Sequence, residues 1–371
     1  MKTALVTGSN GFIGKNLIEG LRRIKDIEIK AFDIEDDIDS LAEHLKDADI
    51  VFHLAGVNRP EKVEEFEAGN AGLTQTIVDI LGKAKRNTPL VFSSSTQAAL
   101  NNPYGISKKQ AEDILIEYSR KHQAKVYIYR FPNVFGKWCR PNYNSAVATF
   151  CHNIAHGLDI TVSDINKEIE LIYIDDVVRA FIGILDGYFS VLDGKYCLVE
   201  PTYRISLGTL AETIQGFRDS RVSLALPDMS DPFLRALYAT YVSYLPADSF
   251  AYALNQRTDP RGELAELLKS PHMGQIFVSR TRPGITRGHH YHDTKVEKFV
   301  VLEGDAVIRF RHILGGDVIE YPVSGREFRV VDIPPGYTHS IENVGQNDLI
   351  VLFWADEIFN PDFPDTVGMT V

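Results

Sequence analysis

Read as a string of hydrophobic and polar positions, the chain changes texture near residue 246. Up to that point short apolar runs alternate with amphipathic stretches. KTALVT covers residues 2–7, a helix opens in GSNGFIGKNLIEGLRR, and IEIKAFDI and ADIVFHLAG follow as strands. A helix around 68–86, then PLVFSSS, a helix from Ser107 to Lys121 and KVYIYRF complete the series. This alternation predicts an α/β fold built on a doubly wound parallel sheet. Pro227, Pro232 and Pro246 surround a helical stretch and mark a domain join. Beyond it, QIFVSRTRPG, KFVVLEGDAVIRFRH, REFRVVDIPPG and DLIVLFWADE are short strands set off by Gly and Pro, which predicts an all-β barrel or sandwich. The expected domains are 1–245 and 246–371.

Composition narrows the class. At 371 residues the chain exceeds one ordinary core, and 44% apolar with 24% charged residues describes a soluble globular protein. A net charge of -11 without Lys/Arg blocks argues against nucleic acid and against an anionic membrane surface. Cys139, Cys151 and Cys197 are odd in number and form no CxxC pair, which fits a reducing compartment. The chain opens directly on a strand, with no signal peptide and no apolar run near the ~18 residues of a membrane span. No membrane insertion is expected, and the cytoplasm is the expected location.

Gly8, Gly11 and Gly14 sit between the first strand and first helix. There they allow a tight turn and let a pyrophosphate approach the helix N-terminus. This predicts a Rossmann-type dinucleotide site, with Asn10, Phe12 and Ile13 of the same loop and Leu54, Ala55 and Gly56 after the third strand as further cofactor contacts. Asp33 stands nineteen residues after Gly14, where an acid bonds the adenosine ribose hydroxyls. Tyr104 and Lys108, four apart, share a helix face. An ammonium beside a phenol lowers the phenol's pKa and can hold the nicotinamide ribose, so the tyrosine can protonate a carbonyl as hydride arrives. A serine on the preceding strand end, Ser94 or Ser95, would hold the same oxygen.

These pieces, TGSNGFIG, FHLAG, FSSS, YGISK, RFPNVFG and IYIDDVV, resemble an extended short-chain dehydrogenase/reductase of the nucleotide-sugar-modifying kind. The resemblance implies Ser95 or Ser94, Tyr104 and Lys108 as catalytic residues. It places Asn133 by the nicotinamide or sugar, with Asn70 in support. Only eight residues separate Ser95 from Tyr104. Lys137 and Arg140 could meet a diphosphate, whereas His152 and His156, four apart without an acidic partner motif, fit a helix surface.

In GITRGHHYHDTKVEKFVVLEG, His290 and His292 are two apart and share a strand face. Glu297 follows five residues on, and His339 forty-two after that. Three imidazoles and a carboxylate suit zinc, iron, manganese or nickel. The spacing from Gly284 to Gly304, with Pro334, Gly336, His339 and Asn343, resembles the two cupin motifs. TDPRGELAELL, ITRGHHYH and EKFVVLEG also resemble the cupin-fold sugar 3,5-epimerases. That likeness implies His290 as base, Lys298 as the group steadying an enolate and Arg261 as a substrate contact. A metal-bound imidazole has no lone pair left to take a proton. Two routes follow: a zinc that polarises the sugar carbonyl, or a structural metal with Lys298 and its neighbours doing the chemistry.

As a whole the chain resembles the bifunctional reductase–epimerases of capsular polysaccharide synthesis. An epimerase needs the ketone that a reductase afterwards removes, so the two activities belong in this order. The resemblance implies NADPH, a divalent metal such as Zn, and a UDP-sugar substrate. It also implies epimerisation at carbon 3 and reduction at carbon 4, giving UDP-2-acetamido-2,6-dideoxy-L-talose, the UDP-N-acetyl-L-fucosamine precursor. The alternative is a reductase whose cupin is only a sugar-binding or dimerisation module. A homodimer is the expected assembly.

Overall fold

β1 (Lys2–Thr7) is buried from Thr3 onward and runs through the glycine turn into α1 (Phe12–Leu21). β2 (Ile27–Phe32) pairs with one edge of β1, and after α2 (Ile38–Asp47) the chain returns as β3 (Ile50–His53) on the other edge, both parallel. The reversal of direction at β1 opens a crevice at the carboxyl ends of β1 and β3. The chain then forms α3 (Glu64–Phe66), a π-helical turn at Glu67–Gly72 and α4 (Leu73–Lys83). β4 (Leu90–Ser95), α5 (Pro103–His122) and β5 (Val126–Phe131) follow. β6 (Asn133–Phe135), α6 (Ala146–Ala155), β7 (Glu168–Tyr173), α7 (Ile174–Gly183), β8 (Ser190–Leu192), β9 (Tyr196–Leu198), β10 (Thr202–Ser206), α8 (Leu207–Ser223) and α9 (Pro232–Val242) complete this part.

The sheet order is β2-β1-β3-β4-β5-β9-β8, with a smaller sheet β10-β7-β6. Both faces of the large sheet are covered, as the continuous apolar strands require. Ala4 and Val6 of β1 pack with Leu17 and Leu21 of α1 and with Val177 and Phe181 of α7. Leu5 faces the opposite way and packs with Leu41 and Leu45 of α2, Ile77 of α4 and Leu115 of α5. α5 begins at Pro103, four residues before the expected start, because Asn102 caps it by accepting from the Gly105 N–H at 2.8 Å. Tyr104 is thereby in the first helical turn.

The second part is antiparallel throughout and forms the all-β cupin barrel. Its strands are β11 (Gln256–Asp259), β12 (Gly262–Ser270), β13 (Gly274–Thr281), β14 (Thr286–Tyr291), β15 (Glu297–Glu303), β16 (Asp305–His312), β17 (Ile319–Ser324), β18 (Val330–Ile333), β19 (Tyr337–Asn343), β20 (Leu349–Ala355) and β21 (Val367–Gly368). One sheet runs β11-β12-β13-β20-β15-β18 and the other β17-β16-β19-β14-β21. Their inner faces share a core that includes Phe299, Val301, Ile308, Ile333, Val351 and Phe353.

In this computed structural model, which describes residues 1–192 and 194–371, the two compact units are Met1–Ile214 with Ala236–Leu245 and Gln215–Arg235 with Pro246–Val371. Two backbone hydrogen bonds hold residues 224–226 to β12. Leu226 donates to the Lys269 carbonyl and Lys269 to that of Leu224, both at 2.8 Å. Among the described residues no helix is long and apolar enough to cross a membrane.

Candidate functional sites

The crevice at the head of β1 is built from backbone. Gly8 has a φ of +68°, and a Cβ there would lie 2.6 Å from the Ala55 nitrogen; at Gly14 it would lie 2.1 Å from the Gly8 oxygen. Larger residues would push the turn away from the strand, so the N-terminus of α1 is left open to a pyrophosphate. At the end of β2 the Asp33 carboxylate accepts the Asn10 N–H at 2.6 Å.

Strand alternation separates the two candidate serines. Ser94 points to the α5 side, and its hydroxyl donates to Glu112 Oε1 at 2.6 Å. Fully buried Glu112 also takes the Arg130 guanidinium, at 2.8 and 2.6 Å, and the Tyr196 hydroxyl at 3.2 Å. Ser95 faces the other way, hydrogen-bonds the Tyr104 side chain and accepts from the Gln97 N–H at 3.2 Å. Burial pushes the Tyr104 phenol up, with Ser95 acting in the opposite sense.

Lys108 is buried. Its Nζ donates to the Ser93 carbonyl at 3.1 Å and lies 4.9 Å from the centre of the Phe92 ring. Burial lowers its pKa to about 8 against the pull of Glu112. Asn70, in the π-helical turn, donates to Ser107 Oγ at 2.9 Å, and its Oδ1 accepts the Val57 N–H at 3.0 Å. The Gly56 backbone passes so close that a Cβ would sit 2.7 Å from Asn70 Oδ1 and 3.0 Å from Lys108 Nζ. His53 is fully buried between Thr7 Oγ1 at 2.8 Å and Thr74 Oγ1 at 2.9 Å. Burial, aided by Lys108, pushes it down to about 3 and keeps it neutral.

The low pKa of Lys108 sets a pH dependence of stability. The ammonium is present below about pH 8 and lost above it. In the nucleotide-free protein the unfolded lysine, near 10.5, keeps its proton between pH 8 and 10.5 while the folded one does not. Unfolding free energy therefore gains a contribution as pH rises through that window. Denaturant midpoints at pH 7.5 and 9.5, with Lys108→Met as the reference that has no proton to lose there, check it.

Asn133 is exposed, and its amide donates to the Glu170 carbonyl at 3.0 Å. Lys137 is paired with Asp175. Arg140 lies 5.0 Å from the centre of the Tyr143 ring, and Arg59, in the loop after β3, lies 5.6 Å from the same ring. Arg59 escaped the motif reading. Its only sequence signal is its place just beyond a strand end that borders the crevice. His152 and His156 stack with ring centres 4.0 Å apart, and His156 Nδ1 is 2.8 Å from the His152 carbonyl.

In the second unit the structure brings His290, His292, Glu297 and His339 together, with one ligand atom from each lying within 4.8 Å of all the others. β14 and β19 set His290 directly opposite His339. A bulge between Gly288 and His290, with His289 at a φ of +60°, turns the adjacent imidazole away. His292 Nε2 is 3.2 Å and His339 Nε2 3.7 Å from Glu297 Oε2. Burial, with His290 beside it, lowers His339 to about 4, and burial with His292 lowers His290. For Glu297 burial acts upward, but His292 and His339 outweigh it and hold the carboxyl low. Three imidazoles around a carboxylate are the donor set of a divalent-metal site, and the buried His339 Nε2 has no hydrogen-bond partner among the described residues. The donor set fits a metal.

The carboxyl-terminal strand braces this cluster. Asp365 takes the backbone N–H groups of Asp293, Thr294 and Lys295 on its carboxylate at 2.8, 2.8 and 2.7 Å, and its carbonyl faces His292 Nδ1. β21 pairs with β14 at His290 and Tyr291. Lys298 is not brought to the cluster. One position past Glu297 it takes the opposite face of β15, is exposed and pairs with Asp332. Lys295, which the motif reading passed over between two ligands, is buried, and its charge acts on Glu297 and His290. Arg261 is bound to Asp259 at 2.6 Å in the turn before β12. A cavity of about 430 Å³ opens beside Phe310, Tyr321, Arg329, Asp332 and Tyr337, and the Phe310 ring centre is 6.4 Å from that of His339.

Residues 4–197 match the NAD dependent epimerase/dehydratase family and residues 257–367 the polysaccharide biosynthesis C-terminal domain. The chain is 47% identical over 367 residues to a UDP-2-acetamido-2,6-beta-L-arabino-hexul-4-ose reductase of Pseudomonas aeruginosa, covering 99% of this chain and 98% of that one. The crystal structure of the capsular polysaccharide assembling protein CapF from Staphylococcus aureus superposes with a TM-score of 0.93 at 43% identity, covering 99% of this chain and 100% of that one. A UDP-glucuronic acid 4-epimerase from Bacillus cereus, 18% identical with a TM-score of 0.54 over 65% of this chain and 98% of that one, shares the fold alone. The chain therefore belongs to the NAD dependent epimerase/dehydratase family, in the two-part form that CapF and the hexulose reductase share with it from end to end.

Proposed function

We propose that this chain is a bifunctional nucleotide-sugar enzyme of capsule synthesis, in which the first unit reduces the carbon-4 ketone of a UDP-linked 6-deoxy-N-acetylhexosamine and the cupin first epimerises carbon 3. The observation that carries it is the Ser95–Tyr104–Lys108 group, set on a chain related along its whole length to a UDP-hexul-4-ose reductase. The hydroxyls of Ser95 and Tyr104 converge on the ketone oxygen, and Tyr104 gives it a proton. Ser95 offsets part of the upward push that burial gives the phenol, and the buried Lys108 ammonium is suited to hold the nicotinamide ribose. The bound reduced nicotinamide supplies the hydride. NADPH is the form that the capsular resemblance implies, and the residues at the end of β2 bear on that choice below. Arg59 and Arg140, both beside Tyr143, are suited to the diphosphate, a task for which Lys137, paired with Asp175, is less free.

In the cupin, zinc held by His290, His292, Glu297 and His339 would polarise the sugar carbonyl as a Lewis acid. His290 then has no lone pair for the carbon-3 proton, so another group must take it and a proton must return on the opposite face of the sugar. Lys295 rather than Lys298 is the cation near enough to steady negative charge on the enolate. The product would be UDP-2-acetamido-2,6-dideoxy-L-talose, made in the cytoplasm by a homodimer. The position of Lys298 favours the rival reading, a cupin that only holds sugar or pairs subunits. Incubation with a UDP-4-keto-6-deoxy-N-acetylhexosamine in deuterated water, without nicotinamide, separates the two. One deuterium at carbon 3 is expected, and its absence leaves only the reductase.

A further inference from the structure

Resting on the reductase reading of the first unit, we infer that Asp33 makes this chain select NADH over NADPH. In a doubly wound sheet the adenosine ribose lies at the carboxyl end of the second strand, and Asp33 is the first residue beyond β2. Its carboxylate is fixed there by two backbone N–H groups. Oδ2 takes that of Asn10 from the glycine turn at 2.6 Å, and Oδ1 takes that of Ile34 at 2.8 Å. These bonds fix the Asp33 side chain where the ribose edge would lie and leave lone pairs for the 2′ and 3′ hydroxyls. A 2′-phosphate would set nearly two further negative charges against the same oxygens.

The segment that follows Asp33 offers that phosphate no counter-charge. Glu35, Asp36, Asp37 and Asp39 follow in the same exposed segment, and no lysine or arginine occurs between Lys30 and Lys46. Lys30 is itself paired with Asp47 at 3.2 Å. Asp36 accepts the Asp33 N–H at 2.7 Å, so the acidic turn is ordered around the position rather than free to swing away. In the glycine turn itself, Asn10 and Phe12 carry no charge.

The test is equilibrium binding of NADH and NADPH to the whole chain, read by calorimetry, with the shift in unfolding temperature as a second measure. NADH is expected to bind at least tenfold more tightly. Asp33→Asn keeps an acceptor for the Asn10 N–H, and Ile34→Arg replaces a side chain that is 90% exposed, so neither change threatens the fold. The double variant is expected to gain tenfold or more in NADPH affinity and lose affinity for NADH. Equal binding of both nucleotides, or tighter binding of NADPH by the natural chain, overturns the selectivity and leaves the reductase reading standing. Failure of both to bind overturns the reductase reading and this inference with it.

Discussion

Tyr104→Phe is expected to lower the rate of nicotinamide oxidation by roughly 10²–10⁴-fold, the range for losing a positioned proton donor. The substitution removes one oxygen from a ring that stays packed 5.8 Å from Phe66, so the fold and the nucleotide affinity should be unchanged. Deuterium entry at carbon 3 should also be unchanged, since Tyr104 lies in one unit and the candidate metal ligands in the other. Stopped-flow absorbance of the reduced nicotinamide measures the first quantity and mass spectrometry of the recovered sugar the second. Loss of both in Tyr104→Phe would mean that one site performs both steps. Ser94→Ala is a contrasting variant. It strips a hydrogen bond from buried Glu112, so its effect should fall on stability rather than on the proton transfer itself.

The second large effect is expected at His339. The natural protein should hold about one divalent metal per chain through dialysis, and His339→Ala should lose at least ~100-fold in metal affinity, because three ligands are left around a buried gap. Metal content by plasma spectrometry reads this directly. Removing the metal from the natural protein with a chelator should lower the unfolding temperature of the second unit, while the reductase unit keeps its nucleotide affinity. An unchanged metal content in His339→Ala would place the metal elsewhere.

Much of this was legible in the residues alone, and what was legible shares a physical cause. The glycine turn and the cupin ligands are short-range patterns in which backbone geometry dictates residue type at each position. Gly14 cannot carry a Cβ, and His290 and His292 must share a face. What the motifs left open depends on which way a strand residue points. Ser94 and Ser95 look equivalent in FSSS, but one-residue alternation sends the first to Glu112 and the second to Tyr104. The same alternation puts Glu297 in the metal cluster and Lys298 outside it. Other features join residues far apart in the chain. Asp365 reaches back 73 residues to His292, and Arg59 and Arg140 meet at one aromatic ring. No local pattern announces such pairs.

The brace that Asp365 provides gives the candidate metal centre an order of assembly. Synthesis runs from the amino end, so all four candidate ligands are made before residue 365, and the segment that orients His292 follows them. Protease nicking within 356–364 would leave every ligand attached to its own strand. It is expected to loosen the hold on the His292 ring with no change in the number of candidate ligands.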